Sequence, residues 1–455
     1  MTKINSTRRG ARVRRTGALA AASLLVVALA GCLMRAPYFT DASPSAERVN
    51  FATLDSSPAP VVTYGPSPGC NASTVTATLV APVTVDTQRI YQWNARLTGL
   101  SAKTSYCYDV TQGGTDQLNG ARPSFTTPPV AGDTSPYSFA VLGDWGGGTQ
   151  DETNVLSQVR SSGSQFVMTV GDNVYNSGTQ TDYGKVNSGN VFTTANWPGT
   201  LTAPWFPAQG NHGFTQNLPY LQNFPETSTA AASGGRYQQD TYCCLGVMPG
   251  SNTYASAWYA FDWGNARFYV LEAAWSDSNG GYQGDFQAHW NGSVSGCSVC
   301  GQELTWLKSD LAAHAGTPLK FAFFHYPLHV DSSSQPSDTF LDGTNALEGV
   351  LANNGVKIAF NGHAHLYERN TPQISGKPMV SYVTGGGGAE LGQVSGCSSF
   401  DAYAIGSGGT SCHATKPTSN TQVFHFLKVS VNGRQVTVTP TDENGNRFDV
   451  QTFSF

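Results

Sequence analysis

The sequence predicts a β-rich chain in two parts, a small all-β sandwich over residues 46–130 and a larger α/β domain over residues 131–455. Short alternating runs separated by Gly, Pro, Ser and Asp turns fill the first part. From Tyr137 onwards, strand-like apolar runs alternate with helical patterns, which is typical of α/β layers. The 50 glycines and the low charged content of 12% also suit a loop-rich protein that contains β-sheets.

The first 31 residues are predicted to be a signal peptide that is removed from the mature protein. Six basic residues precede an apolar stretch at 17–30, which is too short for a membrane span. That stretch ends in Leu29-Ala30-Gly31-Cys32, which resembles a bacterial lipobox and implies cleavage before Cys32 and a lipid on its sulfur. An ordinary secretory signal with a chance Cys is the alternative, and Arg14-Arg15 leaves a twin-arginine route open. Residues 32–45 are then expected to be a tether.

The charge balance argues against nucleic acid as a bulk partner. The formal net charge is -5, and loss of the six basic residues takes it to about -11. A nucleic-acid-binding protein would favour a basic surface. We expect an extracytoplasmic protein, at the cell surface or in the periplasm, that touches the membrane only through a lipid on Cys32.

Apart from Cys32, eight cysteines remain, and an even number predicts disulfides in an exported chain. Cys70 and Cys107 are the only pair available in the N-terminal part, and a Cys397–Cys412 bridge would close a Gly/Ser-rich loop. The other four are expected to pair among themselves in an order that the sequence leaves open: Cys243, Cys244, Cys297 and Cys300. A redox or zinc role for Cys297-Ser298-Val299-Cys300 is the less favoured alternative.

Periodicity places the individual elements. In the first part, strands are predicted at 60–65, 74–79 and 106–110. In the second part, strands are predicted at 137–142, 166–170, 268–271, 319–324 and 356–360, with helices at 151–160, 302–313 and 344–352. The C-terminal region is predicted to return to strands at 423–431, 436–440 and 446–455, with a hairpin turn at Asn432-Gly433.

Polar motifs follow the predicted strands and gather enough ligands for two metal ions. They are Gly143-Asp144-Trp145-Gly146, Gly171-Asp172-Asn173-Val174-Tyr175, Gly210-Asn211-His212, Phe324-His325-Tyr326-Pro327 and Gly362-His363-Ala364-His365. Loops at the C-terminal ends of neighbouring strands converge at one edge of an open α/β sheet, so these side chains are expected to meet. Singly each would be unremarkable, since a lone Asp after Gly is usually a turn residue and most tyrosines simply pack.

In this order, and with the continuation Tyr367-Glu368-Arg369, the motifs resemble the metallophosphoesterase superfamily and, within it, the purple acid phosphatases. Leu97-Thr98-Gly99-Leu100 and the run Thr104-Ser105-Tyr106-Cys107-Tyr108 resemble the fibronectin-III-like module of the long-chain members. The resemblance therefore implies a fibronectin-III-like sandwich followed by an α/β metallophosphoesterase domain, in which two sheets form a sandwich flanked by helices. It spans roughly residues 46–455.

The resemblance also implies the metal ligands and the reaction. One site would hold Asp144, Asp172, Tyr175 and His365, and the other Asp172, Asn211, His325 and His363, with Asp172 bridging. Carboxylates and a phenolate favour Fe(III), while the amide and imidazoles of the second site suit Zn, Fe(II) or Mn. Two such ions would activate a hydroxide that hydrolyses small phosphate monoesters, as in an acid phosphatase that scavenges phosphate.

Two further histidines are candidates for catalysis. His212 would protonate the leaving oxygen, but the family commonly has an acidic residue next in the chain, where this sequence has Gly213. His329 could contact the phosphate, although related enzymes carry a His about nine residues past the strand-end His, near Ser334 here. Glu368 and Arg369 are expected to form structural ion pairs, and His289, His314, His413 and His425 to have no part in catalysis. Trp145, Trp197 and Trp205 could line a cleft or pack in the core.

Three alternatives remain open from the sequence. A phosphodiesterase or nucleotide hydrolase would use the same metal ligands. A non-catalytic surface binding protein would use the β-sandwich to hold a polysaccharide or a protein. A homodimer is also open.

Overall fold

The computed structural model describes residues 33–197, 202–213, 217–226, 258–273, 302–337, 341–374, 376–414 and 421–455, with short strands at 237–238 and 253–254. The predicted signal peptide, Cys32, His289 and the four middle cysteines lie outside these ranges, so lipidation and the pairing of those cysteines stay predictions. Within the described ranges, no helix is both long and apolar enough to cross a membrane.

The N-terminal part is a sandwich of two antiparallel sheets, as predicted. Its nine strands are β1 Leu33–Ser43, β2 Ala46–Thr53, β3 Val61–Pro66, β4 Ser73–Thr76, β5 Thr78–Val85, β6 Gln88–Thr98, β7 Ser105–Gln112, β8 Thr115–Asp116 and β9 Ser124–Thr126. One sheet has the order β1-β2-β6-β5 and the other β4-β3-β7-β8, with β9 on β7. Phe51, Trp93 and Tyr108 are among the apolar side chains that fill the space between the sheets. The predicted Cys70–Cys107 disulfide is present.

The prediction of a tether at 32–45 is wrong, because residues 33–43 form strand β1. This strand pairs with β2 along its length, and the side chains of Arg35 and Tyr38 are fully buried. Arg35 donates from Nε to the Gly184 carbonyl and from Nη1 to Asn223 Oδ1, both at 2.8 Å. These partners lie 149 and 188 positions away in the sequence, so no local pattern could report that the polar segment is buried.

The second part contains eighteen strands within the described ranges. They are β10 Tyr137–Leu142, β11 Phe166–Val170, β12 Trp205–Ala208, β13 Tyr237–Gln238, β14 Thr253–Tyr254, β15 Tyr259–Trp263, β16 Ala266–Val270, β17 Leu319–Phe323, β18 Ile358–Asn361, β19 Tyr367–Asn370, β20 Gln373–Ile374, β21 Lys377–Pro378, β22 Val380–Thr384, β23 Asp401–Ile405, β24 Ser411–Cys412, β25 His425–Asn432, β26 Gln435–Asp442 and β27 Gln451–Ser454. The predicted hairpin at Asn432-Gly433 joins β25 to β26, with Gly433 at φ 60°.

Two large sheets of this part pack face to face. One has the order β12-β11-β10-β25-β26-β27, and the other β15-β16-β17-β18-β22-β19-β23-β24. Phenylalanines from both sheets meet in the layer between them, among them Phe139, Phe166, Phe268 and Phe360. Phe139 contacts Phe166 from its own sheet and Phe268 from the opposite one, with ring centroids 5.0 and 5.3 Å apart. The predicted disulfide Cys397–Cys412 lies at the edge of the second sheet, beyond β23.

The helices flank this sandwich. They are α1 Gln150–Ser161, α2 Gln180–Tyr183, α3 Asn217–Asn223, α4 Gln302–Ala313 and α5 Leu347–Asn353, with a 3-10 turn at Ser407–Gly409. Thr149 caps the N-terminus of helix α1, and its side chain accepts a hydrogen bond from the Glu152 amide. Its buried face contains Val155, Leu156 and Val159, the three positions at helical spacing in the sequence.

Parallel pairing determines where the candidate site lies. Strands β10, β11 and β12 run parallel in the first sheet, and β16, β17, β18 and β22 run parallel in the second. Their C-terminal ends therefore meet at one edge of the sandwich, and the loops that follow them face each other there.

Candidate metal centre

Each of the seven predicted ligands lies in a loop that directly follows a parallel strand. Asp144 follows β10, Asp172 and Tyr175 follow β11, Asn211 follows β12, His325 follows β17, and His363 and His365 follow β18. The structure brings all seven together into two groups of contacts.

Tyr175 is the centre of the first group. Its hydroxyl oxygen lies 3.0 Å from Asp172 Oδ2, 3.2 Å from Asp144 Oδ1 and 3.1 Å from His365 Nε2. His365 Nε2 in turn lies 3.3 Å from Asp144 Oδ1. These are the four residues that the family resemblance assigned to one metal ion.

Asn211 is the centre of the second group. Its Oδ1 lies 2.8 Å from His325 Nε2 and 2.9 Å from His363 Nδ1. His325 Nε2 is also 3.3 Å from Asp172 Oδ1. Asp172 therefore faces the second group with Oδ1 and the first with Oδ2, which is the arrangement that a bridging carboxylate needs.

Backbone carbonyls orient two of the imidazoles. His325 Nδ1 lies 2.8 Å from the Val170 carbonyl, and His365 Nδ1 contacts the Glu390 carbonyl. A carbonyl oxygen only accepts hydrogen bonds, so in both rings Nδ1 holds a proton and Nε2 is the nitrogen that faces the centre and would bind a metal ion.

The donor set fits metal ions rather than hydrogen bonds alone. Asn211 Oδ1 accepts hydrogen bonds only, and it lies 2.8 Å from His325 Nε2 and 2.9 Å from His363 Nδ1, so three atoms that can each bind a metal ion converge at one point. Asp144 and Asp172 are buried, and within the described part of the chain neither forms an ion pair with Lys or Arg. Donor atoms of Asp144, Asp172 and His325 all lie within 4.8 Å of one another. Buried oxygen and imidazole donors of this kind suit hard to borderline cations.

Burial and neighbouring charges shift the pKa values of these residues in different directions. Burial, reinforced by the carboxylates of Asp172 and Asp144, raises the pKa of Tyr175 well above its ordinary value. Burial also tends to raise the pKa of Asp172, but the imidazole of His325 outweighs it and keeps that pKa below the ordinary value. Burial lowers the pKa of His363 to about 3. Tyr175 is therefore a phenol in the protein alone, and only a strongly charged cation would make it a phenolate.

The backbone at three of the ligands is left-handed, with φ of 58° at Asp144, 43° at Asp172 and 67° at His363. Such conformations are uncommon outside glycine and cluster at functional sites. Gly210 shows how closely the loops approach, since a Cβ there would lie 2.0 Å from the Asp172 amide nitrogen.

Comparison with known proteins is consistent with this geometry. A family model described as calcineurin-like phosphoesterase matches residues 137–367, about half of the chain, and one described as purple acid phosphatase, N-terminal domain, matches residues 37–127. The chain belongs to the calcineurin-like phosphoesterases, and its N-terminal part is similar to the N-terminal domain of purple acid phosphatases. The predicted order of a β-sandwich and a metallophosphoesterase domain is confirmed, and the family indicates a hydrolase.

Purple acid phosphatases of plants are among the similar proteins. Purple acid phosphatase 22 of Arabidopsis thaliana is 26% identical over 330 residues, which cover 71% of this chain and 63% of that protein. Phosphoenolpyruvate phosphatase of Allium cepa is 24% identical over 322 residues, which cover 68% of this chain and 56% of that protein. The chain thus spans less than two thirds of the length of these relatives.

A solved structure shows the same fold. Purple acid phosphatase PPD1 from yellow lupin (Lupinus luteus) seeds superposes with a TM-score of 0.63 at 16% identity, covering 92% of this chain and 74% of that one. At that identity, the likeness concerns the fold alone.

His212 lies beside the metal-centre residues and is held by a backbone group. Its Nδ1 lies 2.7 Å from the Asn176 carbonyl, and its amide donates to Asp172 Oδ1 at 2.8 Å. The ring also contacts Tyr175, with centroids 4.4 Å apart. Since a carbonyl only accepts, Nδ1 donates to it and Nε2 is left to face a ligand. Asn176 is a positioning residue that the sequence did not reveal, because a main-chain carbonyl has no residue signature.

Close packing of two loops explains why a glycine follows His212. Gly213 has φ of 84° and packs against Gly178, where a Cβ would lie 2.2 Å from the Gly213 α-carbon. The two glycines let the loop after β11 pass next to residue 213, and that loop contains Asn176. The orientation of His212, which the sequence left in doubt, is thus provided without an acidic side chain.

His329 contacts a different set of residues from the predicted ligands. Its Nε2 lies 2.8 Å from Oε1 of the buried Glu348, and its ring packs on Phe400 with centroids 4.7 Å apart. Among the described residues, no hydrogen bond joins it to any of the seven. A phosphate contact by His329 stays a prediction.

Tyr367 and its neighbours are held by hydrogen bonds and an ion pair. Arg369 forms the expected structural ion pair, a two-point contact with Asp449 at 2.8 Å, and the Tyr367 hydroxyl donates to the same carboxylate. Glu368 does not behave as expected, because its carboxylate accepts from the Asp331 amide and the Asn370 side chain rather than pairing with a cation in the described structure. Trp145, Trp197 and Trp205 are buried in a shared apolar cluster, which favours core packing.

Proposed function

We propose that this protein is an extracytoplasmic acid phosphatase that hydrolyses small phosphate monoesters with two metal ions. The observation that carries the proposal is the position of Asp172, whose two carboxylate oxygens face two separate groups of ligand atoms. The name of the Allium cepa relative supports a monoester, since phosphoenolpyruvate is one.

We assign Fe(III) to the group of Asp144, Asp172, Tyr175 and His365, because it offers two carboxylates and a phenol oxygen. A divalent ion, Zn, Fe or Mn, is assigned to the group of Asp172, Asn211, His325 and His363. When bound, such a pair of ions supplies Lewis acidity to the phosphate and lowers the pKa of a water molecule.

Residues of the chain would orient and protonate the reacting groups. The Asn176 carbonyl accepts from His212 Nδ1, so Nε2 is the atom that faces the leaving oxygen, and the doubly protonated ring would donate its Nε2 proton and become a neutral imidazole. Tyr326 stacks on His363 with ring centroids 4.0 Å apart and so fixes the direction of that imidazole. A positioned acid of this kind typically contributes about a hundred- to ten-thousand-fold to the rate.

Metal analysis and the visible spectrum test the proposal. We expect about two metals per chain, including iron, and a visible charge-transfer band that Tyr175→Phe abolishes. Tyr382→Phe is the matched control, because the hydroxyl of Tyr382 is buried without a hydrogen-bond partner in the described part of the chain, and its ring contacts Phe360 and Tyr367, neither of which is a predicted ligand. Two metals without a band would indicate two divalent ions, and no bound metal would point instead to a non-catalytic binding protein.

Substrate class is tested separately. We expect 4-nitrophenyl phosphate to be hydrolysed much faster than bis(4-nitrophenyl) phosphate. The reverse preference would make the protein a phosphodiesterase on the same ligands.

We also propose that a lipid on Cys32 attaches the protein to the membrane. Strand β1 begins at Leu33, so such a lipid would hold the N-terminal sandwich close to the membrane surface. Cys32→Ser is expected to move the protein from the membrane fraction to the soluble fraction and to abolish incorporation of labelled palmitate. Retention of both properties would contradict the lipid anchor.

A further inference from the structure

A second group of oxygen donors lies outside the metal centre. Asp331 belongs to the loop after β17, Glu368 to β19 and Asp401 to the start of β23. One carboxylate oxygen from each lies within 4.8 Å of the others. Two oxygens bound to the same Ca²⁺ at about 2.3–2.6 Å lie at most about 5 Å apart, so one ion fits among the three.

Asn370 is a polar neighbour of this group. It lies directly opposite Asp401 in the antiparallel pair β19–β23, and its Nδ2 donates to Glu368 Oε1 at 2.8 Å. Opposite residues in such a pair share a face of the sheet, as do residues two apart on one strand. Glu368 and Asn370 therefore share one face, and the register shift of β23 at this point lets the Asp401 carboxylate lie beside them.

Two oxygens in and beside this group have no hydrogen-bond partner within the described structure. Asn370 Oδ1 and Asp401 Oδ2 are both buried and unpaired, while the residues themselves are 0% and 8% exposed. A buried oxygen without a partner typically costs about 1–3 kcal/mol, so such atoms are rare in native proteins unless a ligand satisfies them.

The negative charge of the group is also uncompensated within the described residues. No Lys or Arg there forms an ion pair with Asp331, Glu368 or Asp401, and the neighbouring Arg369 is bound to Asp449. Burial, together with the nearby carboxylates, raises the pKa of Glu368 to about 8 and that of Asp331 to about 6. These shifts indicate that burial and the neighbouring carboxylates oppose ionisation of this group when no cation is bound.

We propose that Asp331, Glu368 and Asp401, with Asn370 Oδ1, bind one hard divalent cation of the Ca²⁺ type, separate from the two ions of the phosphoesterase centre. All four are oxygen donors, the ligands that such ions prefer. Asp331 is only partly buried and gives the ion a path from solvent. The proposal rests on these residues alone and does not depend on the phosphatase activity.

The ion would fasten the loop that supports His365. Gln335 in this loop accepts a hydrogen bond from the His365 amide at 3.1 Å, and the Asp331 carbonyl accepts one from Ser395 at 2.9 Å. Ser398 donates from its amide to Asp331 Oδ2 and from its hydroxyl to Asp401 Oδ1. One cation would therefore join the loop after β17, strand β19 and the segment before β23.

Calcium titration of the full chain, loaded with its catalytic metals and freed of excess ions, tests the proposal. We expect one Ca²⁺ per chain by isothermal titration calorimetry, and a melting temperature that rises by roughly 3 °C or more at a hundredfold excess over Kd. Asp401→Asn and Glu368→Gln are expected to weaken calcium binding at least tenfold and to remove the rise. In calcium-free buffer, Asp401→Asn should be at least as stable as wild type, because the substitution removes a buried carboxylate from an acidic group without a cation.

Asp442→Asn serves as the matched control. Asp442 is buried as well, but its carboxylate accepts from the amides of Asn444 and Asn446 in a turn, so the calcium response should persist. No calcium-dependent heat or melting shift in wild type would overturn the proposal. A calcium response of Asp401→Asn equal to that of wild type would overturn it as well. A melting temperature that changes with acidification but not with calcium would also contradict the proposal, and would indicate that the three carboxylates share protons instead. Bound iron and the visible band, followed in the same samples, report on the phosphoesterase centre independently.

Discussion

Strand β1 joins the two parts of the molecule, and replacement of Tyr38 measures how strongly. The side chain is fully buried, with ring centroids 5.2 Å from Phe192 and 5.4 Å from Trp197. Its hydroxyl donates to the Asn223 carbonyl and accepts from Gln92 Nε2 at 3.1 Å. Truncation of a buried aromatic residue to alanine costs about 3–5 kcal/mol. We therefore expect Tyr38→Ala to lower the free energy of unfolding by about 4 kcal/mol.

Tyr38→Phe separates the hydroxyl from the ring. It leaves the aromatic packing in place but removes both hydrogen bonds, so we expect a loss of about 1–2 kcal/mol. The assay is urea unfolding followed by tryptophan fluorescence, with the midpoint compared at constant m. Leu54→Ala, at an exposed position just after β2, is the control and should stay within about 0.5 kcal/mol of wild type. A loss below about 1 kcal/mol for Tyr38→Ala would mean that residues 33–43 behave as the tether that the sequence suggested.

Two further predictions concern histidines. His212→Ala is expected to lower kcat about a hundredfold or more for alkyl phosphates. The loss should be much smaller for 4-nitrophenyl phosphate, because its leaving group needs little protonation. Equal losses of kcat for both substrates in steady-state assays would contradict a role of His212 as an acid. Burial lowers the pKa of His425 to about 4, so the unfolded chain takes up the proton first and stability falls as the pH drops from 6.5 towards 4. At about 1.4 kcal/mol per pKa unit, the free energy of unfolding falls by about 3 kcal/mol over this range, and the His425→Asn variant should not show that fall. Urea midpoints at pH 7 and 4.5 measure the effect, and a difference between variant and wild type that does not change with pH would contradict it.

The sequence predicted best where chemistry or burial leaves a local pattern. Strands 137–142 and 166–170 are predicted with their observed bounds, because parallel strands between two layers are apolar on both faces. The seven ligands could be predicted because Asp, Asn, His and Tyr side chains rarely follow several such strands together except at a metal site.

Prediction from the sequence failed where polar residues are buried by contacts with residues far away in the chain. Tyr367–Asn370 reads as a polar motif, yet all four residues are buried in a strand between β22 and β23. Its antiparallel partners come from later segments, and their hydrogen bonds satisfy the polar groups that would otherwise forbid burial. The same limit explains why β1 was missed and why Asp331, Glu368 and Asp401 were not recognised as neighbours.

Gly213 shows that a departure from a family motif can be compensated by the backbone. An acidic side chain at this position would have to begin from a left-handed backbone, with its Cβ 3.1 Å from the α-carbon of Gly178. Because both positions are glycine, the loop after β11 comes close enough for the Asn176 carbonyl to accept the hydrogen bond from His212 Nδ1. A carbonyl fixes the tautomer and direction of an imidazole as a carboxylate does, but without a charge. The loss of the acid in the motif is therefore no argument against a catalytic His212, since the group that orients its ring lies in a neighbouring loop.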